Sequence, residues 1–157
     1  MIITTKDIKL TNQTDLLNIA LKRAVDKNLP YYGELSPRET FDLLSINPAI
    51  VLVDVRSLAE LELVGRVPNS THIQWAFYPG MLANKEFADQ LLSQIDKDLP
   101  IIFMCRTGGR SHHAAVLAQQ LGYKAFNMTE GFEGAANTLN QRTTVNGWRH
   151  AGLPWTN

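Results

Sequence analysis

The chain has 157 residues, 45% of them hydrophobic and 19% charged, with 15 Lys+Arg balanced by 15 Asp+Glu. That length suits one domain burying roughly two-thirds of the surface its unfolded chain exposes, and the apolar fraction excludes disorder as its main state. No apolar run reaches the roughly 20 residues of a membrane span, the neutral balance argues against bulk electrostatic binding to nucleic acid, and a single cysteine, Cys105, excludes an intrachain disulfide, a dithiol redox centre and multi-cysteine metal sites.

Lys6, Asp7 and Lys9 interrupt the start of the chain, so no secretory signal is expected and a reducing cytoplasm is the expected setting. Residues 1–30 read as an N-terminal helical extension and residues 31–157 as the main domain. Within the extension, Thr11 or Thr14 is placed to cap a helix. Its apolar positions Leu16, Leu17, Ala20, Leu21, Ala24 and Val25 share one face, and Pro30 stops it. That face either docks a partner or packs on the chain's own domain.

Ser36-Pro37-Arg38-Glu39 predicts a capped helix start: Ser36 as N-cap, Pro37 at the first helical position and Glu39 completing a capping box. The helix runs to about Ile46. Ala49–Val53 and Ile101–Met104 are short, nearly all-apolar runs, the mark of strands buried on both faces. Between them Phe87, Ala88, Leu91, Leu92 and Ile95 predict one face of a helix. After Cys105, Ala114, Leu117, Ala118 and Leu121 predict another, which Gly122 closes, and Lys124–Met128 reads as a further strand. Strand alternating with helix means α/β: a parallel sheet with helices on both faces.

In such sheets ligands bind outside the carboxyl ends of the strands. Two polar turns fall there, Asp54-Val55-Arg56 and Cys105-Arg106-Thr107-Gly108-Gly109-Arg110-Ser111. Gly108 and Gly109 permit left-handed backbone angles, so successive N–H groups can turn toward one point. A helix beginning near Ser111 aims its free N–H groups and positive dipole end there, and Arg106 and Arg110 add charge. The loop is a cradle for an anion. Cys105 opens it, and a thiol that ordinarily titrates near ~8.5 is expected to be a thiolate nucleophile in this setting.

Several further stretches join this loop in one pattern: Leu35-Ser36-Pro37-Arg38-Glu39, Leu52-Val53-Asp54-Val55-Arg56 with Glu60, Thr129-Glu130-Gly131-Phe132, and Trp148 with Gly152-Leu153-Pro154. With these motifs, the chain from about Tyr31 onward resembles the rhodanese-like sulfurtransferase family. The resemblance implies a three-layer fold with a five-stranded parallel sheet. It also implies a cysteine that takes a sulfane sulfur from an anionic donor such as thiosulfate or a persulfide, and passes it to a thiol, cyanide or a protein acceptor. No metal or organic cofactor is implied, no direct nucleic-acid partner, and no membrane. Carried over, Cys105 is the persulfide carrier, the backbone N–H groups of Arg106, Thr107, Gly108, Gly109, Arg110 and Ser111 stabilise it, and Arg110 closes the loop. Asp54 and Arg56 look like supports, Asp54 bonded to nearby backbone and Arg56 paired with a carboxylate such as Glu60.

The chain departs from the family pattern in three places. Val64-Gly65-Arg66-Val67 carries Arg66 where a His is usual, in a segment one residue longer; Phe132 replaces the second glycine of a usual pair; and Glu133–Gly147 is long. That last stretch either forms an extra helix or flap bringing Arg142 or Trp148 to the pocket rim, or is a surface excursion with Trp148 in the core. His112 or His113, in the first turn after the loop, could serve as a proton donor or simply be exposed; His72 is expected to pack. Two rival functions remain: a non-catalytic binding module, and a Cys-dependent phosphatase or arsenate reductase. Members of the latter group resemble one another in a Cys-x5-Arg loop, whereas Arg110 follows Cys105 with four residues between, a cup sized for one sulfur.

Overall fold

Helix α1 (Gln13–Lys27) opens the part of the chain described by the computed structural model, residues 12–157. Its cap is Asn12, whose side-chain oxygen accepts from the Thr14 N–H at 2.9 Å. Thr14 is thus inside the helix, and Thr11 lies outside the described residues. Asn28, at φ 52°, ends the helix before Pro30 is reached. Leu16, Ala20 and Ala24 are buried, but Val25 is 80% exposed. The apolar face is narrower than its sequence spacing suggests because α1 packs along one strand, β1 (Gly33–Leu35). The approach is close: a Cβ on Gly33 would lie 2.6 Å from the carbonyl of Ala20.

Helix α2 (Pro37–Ile46) starts with the predicted capping box, Ser36 Oγ accepting from the Glu39 N–H while the Glu39 carboxylate accepts from the Ser36 N–H. Asn47 then turns the chain, and β2 (Val51–Asp54) begins two residues later than its apolar run. A second capping box, Ser57 with Glu60, opens α3 (Leu58–Val64). Next come β3 (Thr71–His72) and a small antiparallel hairpin of β4 (Ala76–Phe77) and β5 (Leu82–Ala83). Helix α4 (Phe87–Gln94), β6 (Ile101–Met104), α5 (Gly109–Gln120) and β7 (Ala125–Met128) complete the order. On α4, Phe87 and Leu91 are buried while Leu92 is 42% exposed, again a narrower face than its spacing predicts.

Five strands pair in the order β1-β7-β6-β2-β3, every pair parallel. Successive strand residues point to opposite faces, and the core divides accordingly. Ile101, Phe103, Val53 and Ala125 pack with Phe87 and Leu91 of α4 and Ala114, Ala115 and Ala118 of α5. Ile102, Met104, Leu52 and Phe126 pack with Leu16 and Ala20 of α1, Leu43 of α2 and Trp148. These are the three layers of an α/β fold. Strand β6 lies at the centre with all four residues buried, and its carboxyl end delivers Cys105. No helix forms over 133–147; that stretch is a folded loop tied by Thr143 N–H to Glu133 O and by Gly147 N–H to the Glu130 carboxylate, and Trp148 is in the core.

Candidate active site

Cys105 leaves β6 only 1% exposed, and the chain folds back over its sulfur at once. Gly108 takes the left-handed angle the turn requires, φ 107°, and its N–H donates to Cys105 Sγ at 3.1 Å. Gly109 does not share that conformation: it is the first residue of α5, which therefore starts two residues before Ser111. Arg110 and Ser111 are in its first turn, and Ser111 Oγ comes to 3.3 Å from Cys105 Sγ. The positive end of α5 thus lies against the sulfur. Of the loop N–H groups expected to serve the sulfur, Gly108 makes the hydrogen bond.

The loop is clamped from outside. Phe132 N–H donates to Cys105 O at 2.8 Å, and the N–H groups of Glu133 and Gly134 both donate to Arg106 O. Gly131, at φ 74°, lets this segment lie flat on the loop; any Cβ there would collide with the Arg106 carbonyl.

The arginines are paired differently from the sequence expectation. Arg110 forms a fork with Glu60, at 2.8 and 2.7 Å. Burial alone would raise the Glu60 carboxyl, but the Arg110 fork and the Ser57 N–H and hydroxyl outweigh it and bring its pKa down to about 2. Arg110 is raised in turn: burial opposes its charge, and Glu60 more than compensates. Arg56, expected opposite Glu60, instead grips Asp54 through Nε and Nη2, the closest contact 2.7 Å, and Nη2 also donates to Gly65 O. Its Cζ lies 4.1 Å from the centroid of the Phe132 ring, which stacks on a fully buried guanidinium whose Nη1 has no hydrogen-bond partner. Phe132, in place of a glycine, is thus the lid on a buried ion pair. Asp54 Oδ1 accepts the Arg56 N–H, the backbone bond expected of it, and His72 Nε2 donates to Arg56 O.

A cleft of about 420 Å³ opens above Arg106 and Arg110. One wall is α3, with Ser57, Ala59, Glu60, Leu63 and Val64; the other is the turn of the β4–β5 hairpin, with Tyr78 and Met81. Since Glu60 and Arg110 neutralise each other, the exposed Arg106 leaves the cleft walls one net positive charge. Arg66, Arg142, His112 and His113 do not line it. The Arg66 backbone bridges to Thr156, Arg142 donates to Gly134 O at 3.0 Å, and His112 Nδ1 meets Tyr31 Oη at 2.8 Å. A second cavity, about 510 Å³, lies between α2 and the β2–β3 edge and contains none of the polar loop residues.

Sequence reasoning missed Asn127. It sits 5% exposed at the end of β7, where its Oδ1 accepts from Ser111 Oγ at 2.6 Å and its Nδ2 donates to Gly108 O at 3.2 Å. The signal was one amide side chain in an otherwise apolar strand, Ala-Phe-Asn-Met.

With this geometry in hand, comparison with known proteins is informative. The family model described as the Rhodanese-like domain matches residues 37–138. The chain belongs to that family. An uncharacterized protein of Rickettsia prowazekii, RP600, is 36% identical over 120 residues, covering 74% of this chain and 91% of the relative. The thiosulfate sulfurtransferase GlpE of Actinobacillus pleuropneumoniae is more distant, 27% identical over 124 residues, covering 78% and 92%. Among solved structures, Rv0390 from M. tuberculosis superposes with a TM-score of 0.74 at 36% identity, covering 80% of this chain and 98% of that one. Among the described residues, no helix of this rhodanese-like protein is long and apolar enough to cross a membrane.

Proposed function

We propose that this protein is a sulfurtransferase that carries sulfane sulfur on Cys105. The observation that carries the reading is the short loop folded around one sulfur atom, with the Gly108 N–H aimed at Cys105 Sγ and α5 starting at the next residue. Distant relatives named as sulfurtransferases support it.

In the first half-reaction the thiolate of Cys105 attacks the outer sulfur of thiosulfate or of a persulfide. A Cys–S–S bond forms, the donor's own S–S bond breaks, and sulfite or a thiolate leaves with the bonding electron pair. The Gly108 N–H and the helix end hold negative charge on the sulfur being transferred, and Arg106 draws the anionic donor into the cleft. Arg110, engaged by Glu60, holds α5 and α3 together around the loop and so closes the cup. In the second half-reaction a thiol, cyanide or protein acceptor attacks the outer sulfur and restores the Cys105 thiolate. Asp54 and Arg56 support the strand end from below. The expected setting is a reducing compartment such as the cytoplasm, which keeps a lone thiol free.

Loop length argues against phosphate-ester hydrolysis, since four residues between Cys105 and Arg110 leave less room for a tetrahedral oxyanion than five would. The test is thiocyanate formation from thiosulfate, or from glutathione persulfide, and cyanide. Turnover that disappears in Cys105→Ser is the expected result. A folded protein inert with both donors overturns the reading in favour of a binding module, and aryl phosphate hydrolysis lost in Cys105→Ser overturns it in favour of a phosphatase.

A further inference from the structure

Hydrogens around Cys105 can be assigned by counting donors. Gly108 O and Asn127 Oδ1 are acceptors only. The 3.2 Å bond from Asn127 Nδ2 to Gly108 O therefore fixes which way the amide points, and Oδ1 faces Ser111. Ser111 Oγ has one hydrogen, and the 2.6 Å contact with Oδ1 uses it. At its 3.3 Å contact with Cys105 Sγ, the same oxygen then offers only lone pairs. That arrangement suits a protonated thiol, whose S–H points at Ser111, and opposes a thiolate.

We propose that Asn127 is a positioning residue that holds the Ser111 hydroxyl proton away from Cys105 and so restrains the nucleophile until that proton turns to the sulfur. The proposal rests on the nucleophilic role assigned to Cys105 above. To help a thiolate, Ser111 must rotate its O–H from Oδ1 to Sγ, leaving a buried amide oxygen without a donor. Strand β7 thereby sets how readily the loop's thiol ionises, although Asn127 does not touch it. The Ser111 proton stays on Ser111 and changes only its acceptor, while the proton that Cys105 gives up on ionising passes to solvent.

The charged groups nearby do not change when Asn127 is replaced. Arg110 is paired with Glu60, and Asp54 with Arg56. Arg106 is exposed on the loop, while Glu130 and Glu133 belong to the clamping segment. Tyr31, whose hydroxyl meets His112 Nδ1 at 2.8 Å, is itself a side-chain hydrogen-bond partner of Asn127 and loses only that partner in Asn127→Leu. Gly108 O keeps a donor as well, since the His112 N–H bonds to it at 3.2 Å.

The experiment is the rate of Cys105 alkylation by iodoacetamide as a function of pH, which needs no sulfur transfer. In Asn127→Leu the midpoint is expected to fall by about one pH unit, the worth of an unpaired acceptor, and the fall should vanish in the Ser111→Ala background. A folded Asn127→Leu protein with an unchanged or higher midpoint overturns the proposal, as does the same fall without Ser111. Ser111→Ala alone covers the case in which the strand variant does not fold. Its midpoint falls, or rises by less than about one unit, if Asn127 competes for the hydroxyl; a larger rise, toward the worth of an unopposed charge-assisted bond, overturns the proposal. If alkylation behaves as stated but no sulfur is transferred, the functional reading fails and this inference stands.

Discussion

Arg110 and Glu60, 50 residues apart in sequence, meet as a two-pronged ion pair with N···O distances of 2.8 and 2.7 Å. The carboxylate also closes the first turn of α3, accepting from the N–H and hydroxyl of Ser57 at 2.8 Å each. One side chain thus ties the helix that follows the cysteine loop to the helix that walls the cleft.

This pair makes stability depend on acid. The Glu60 carboxyl is lowered from 4.5 to about 2 on folding, so its contribution is complete above about pH 4.5 and is lost as pH falls through about 2. The contribution is on the order of 2 to 3 kcal/mol. Urea unfolding should find Glu60→Gln less stable than the parent at pH 6 by about that amount, with the gap closing toward pH 2. A gap independent of pH would contradict the pairing.

The loop glycines separate into three cases. Gly131→Ala should destabilise by about 3 kcal/mol or more, because it combines φ 74° with a collision against the Arg106 carbonyl. Gly108→Ala, at φ 107° but with no neighbour closer than 3.7 Å, should cost about 1 to 2 kcal/mol. Gly109→Ala meets nothing within 4 Å in a helical position, and should stabilise by about 0.5 kcal/mol. Denaturation midpoints for the three variants check the order.

In the proposed reaction, Arg106 is the cleft cation left to meet an anionic donor. Arg106→Gln should raise the KM for thiosulfate about tenfold, corresponding to one lost charge-assisted contact, while shifting stability by less than about 0.5 kcal/mol. The KM of the parent should rise with ionic strength, and that of the variant less so. An unchanged KM would move donor binding away from the cleft.

Local chemistry made much of the fold legible in the sequence. The Ser36 capping box, the nearly all-apolar runs of β2 and β6, and the glycine turn after Cys105 each state their conformation within a few residues. Partner choice was not legible. Arg56 and Arg110 are equally suited to a carboxylate, and only the distance closed between α3 and α5 gives Glu60 to Arg110 and leaves Asp54 to Arg56. Asn127 was hidden for a similar reason: its role depends on which face of β7 it occupies, and it shares the α5 side with Ala125, where Ser111 descends. Val25 and Leu92 were placed inward because periodicity gives the direction of a helical face but not its width, which the packed neighbour decides.

The central claim is that Cys105 carries transferable sulfur, and intact-mass measurement after incubating the reduced protein with thiosulfate tests it most directly. The account predicts a gain of one sulfur atom that a thiol removes and that Cys105→Ser does not acquire. A parent protein that gains no sulfur from thiosulfate or from a persulfide donor, or a Cys105→Ser protein that gains it equally, would contradict the account.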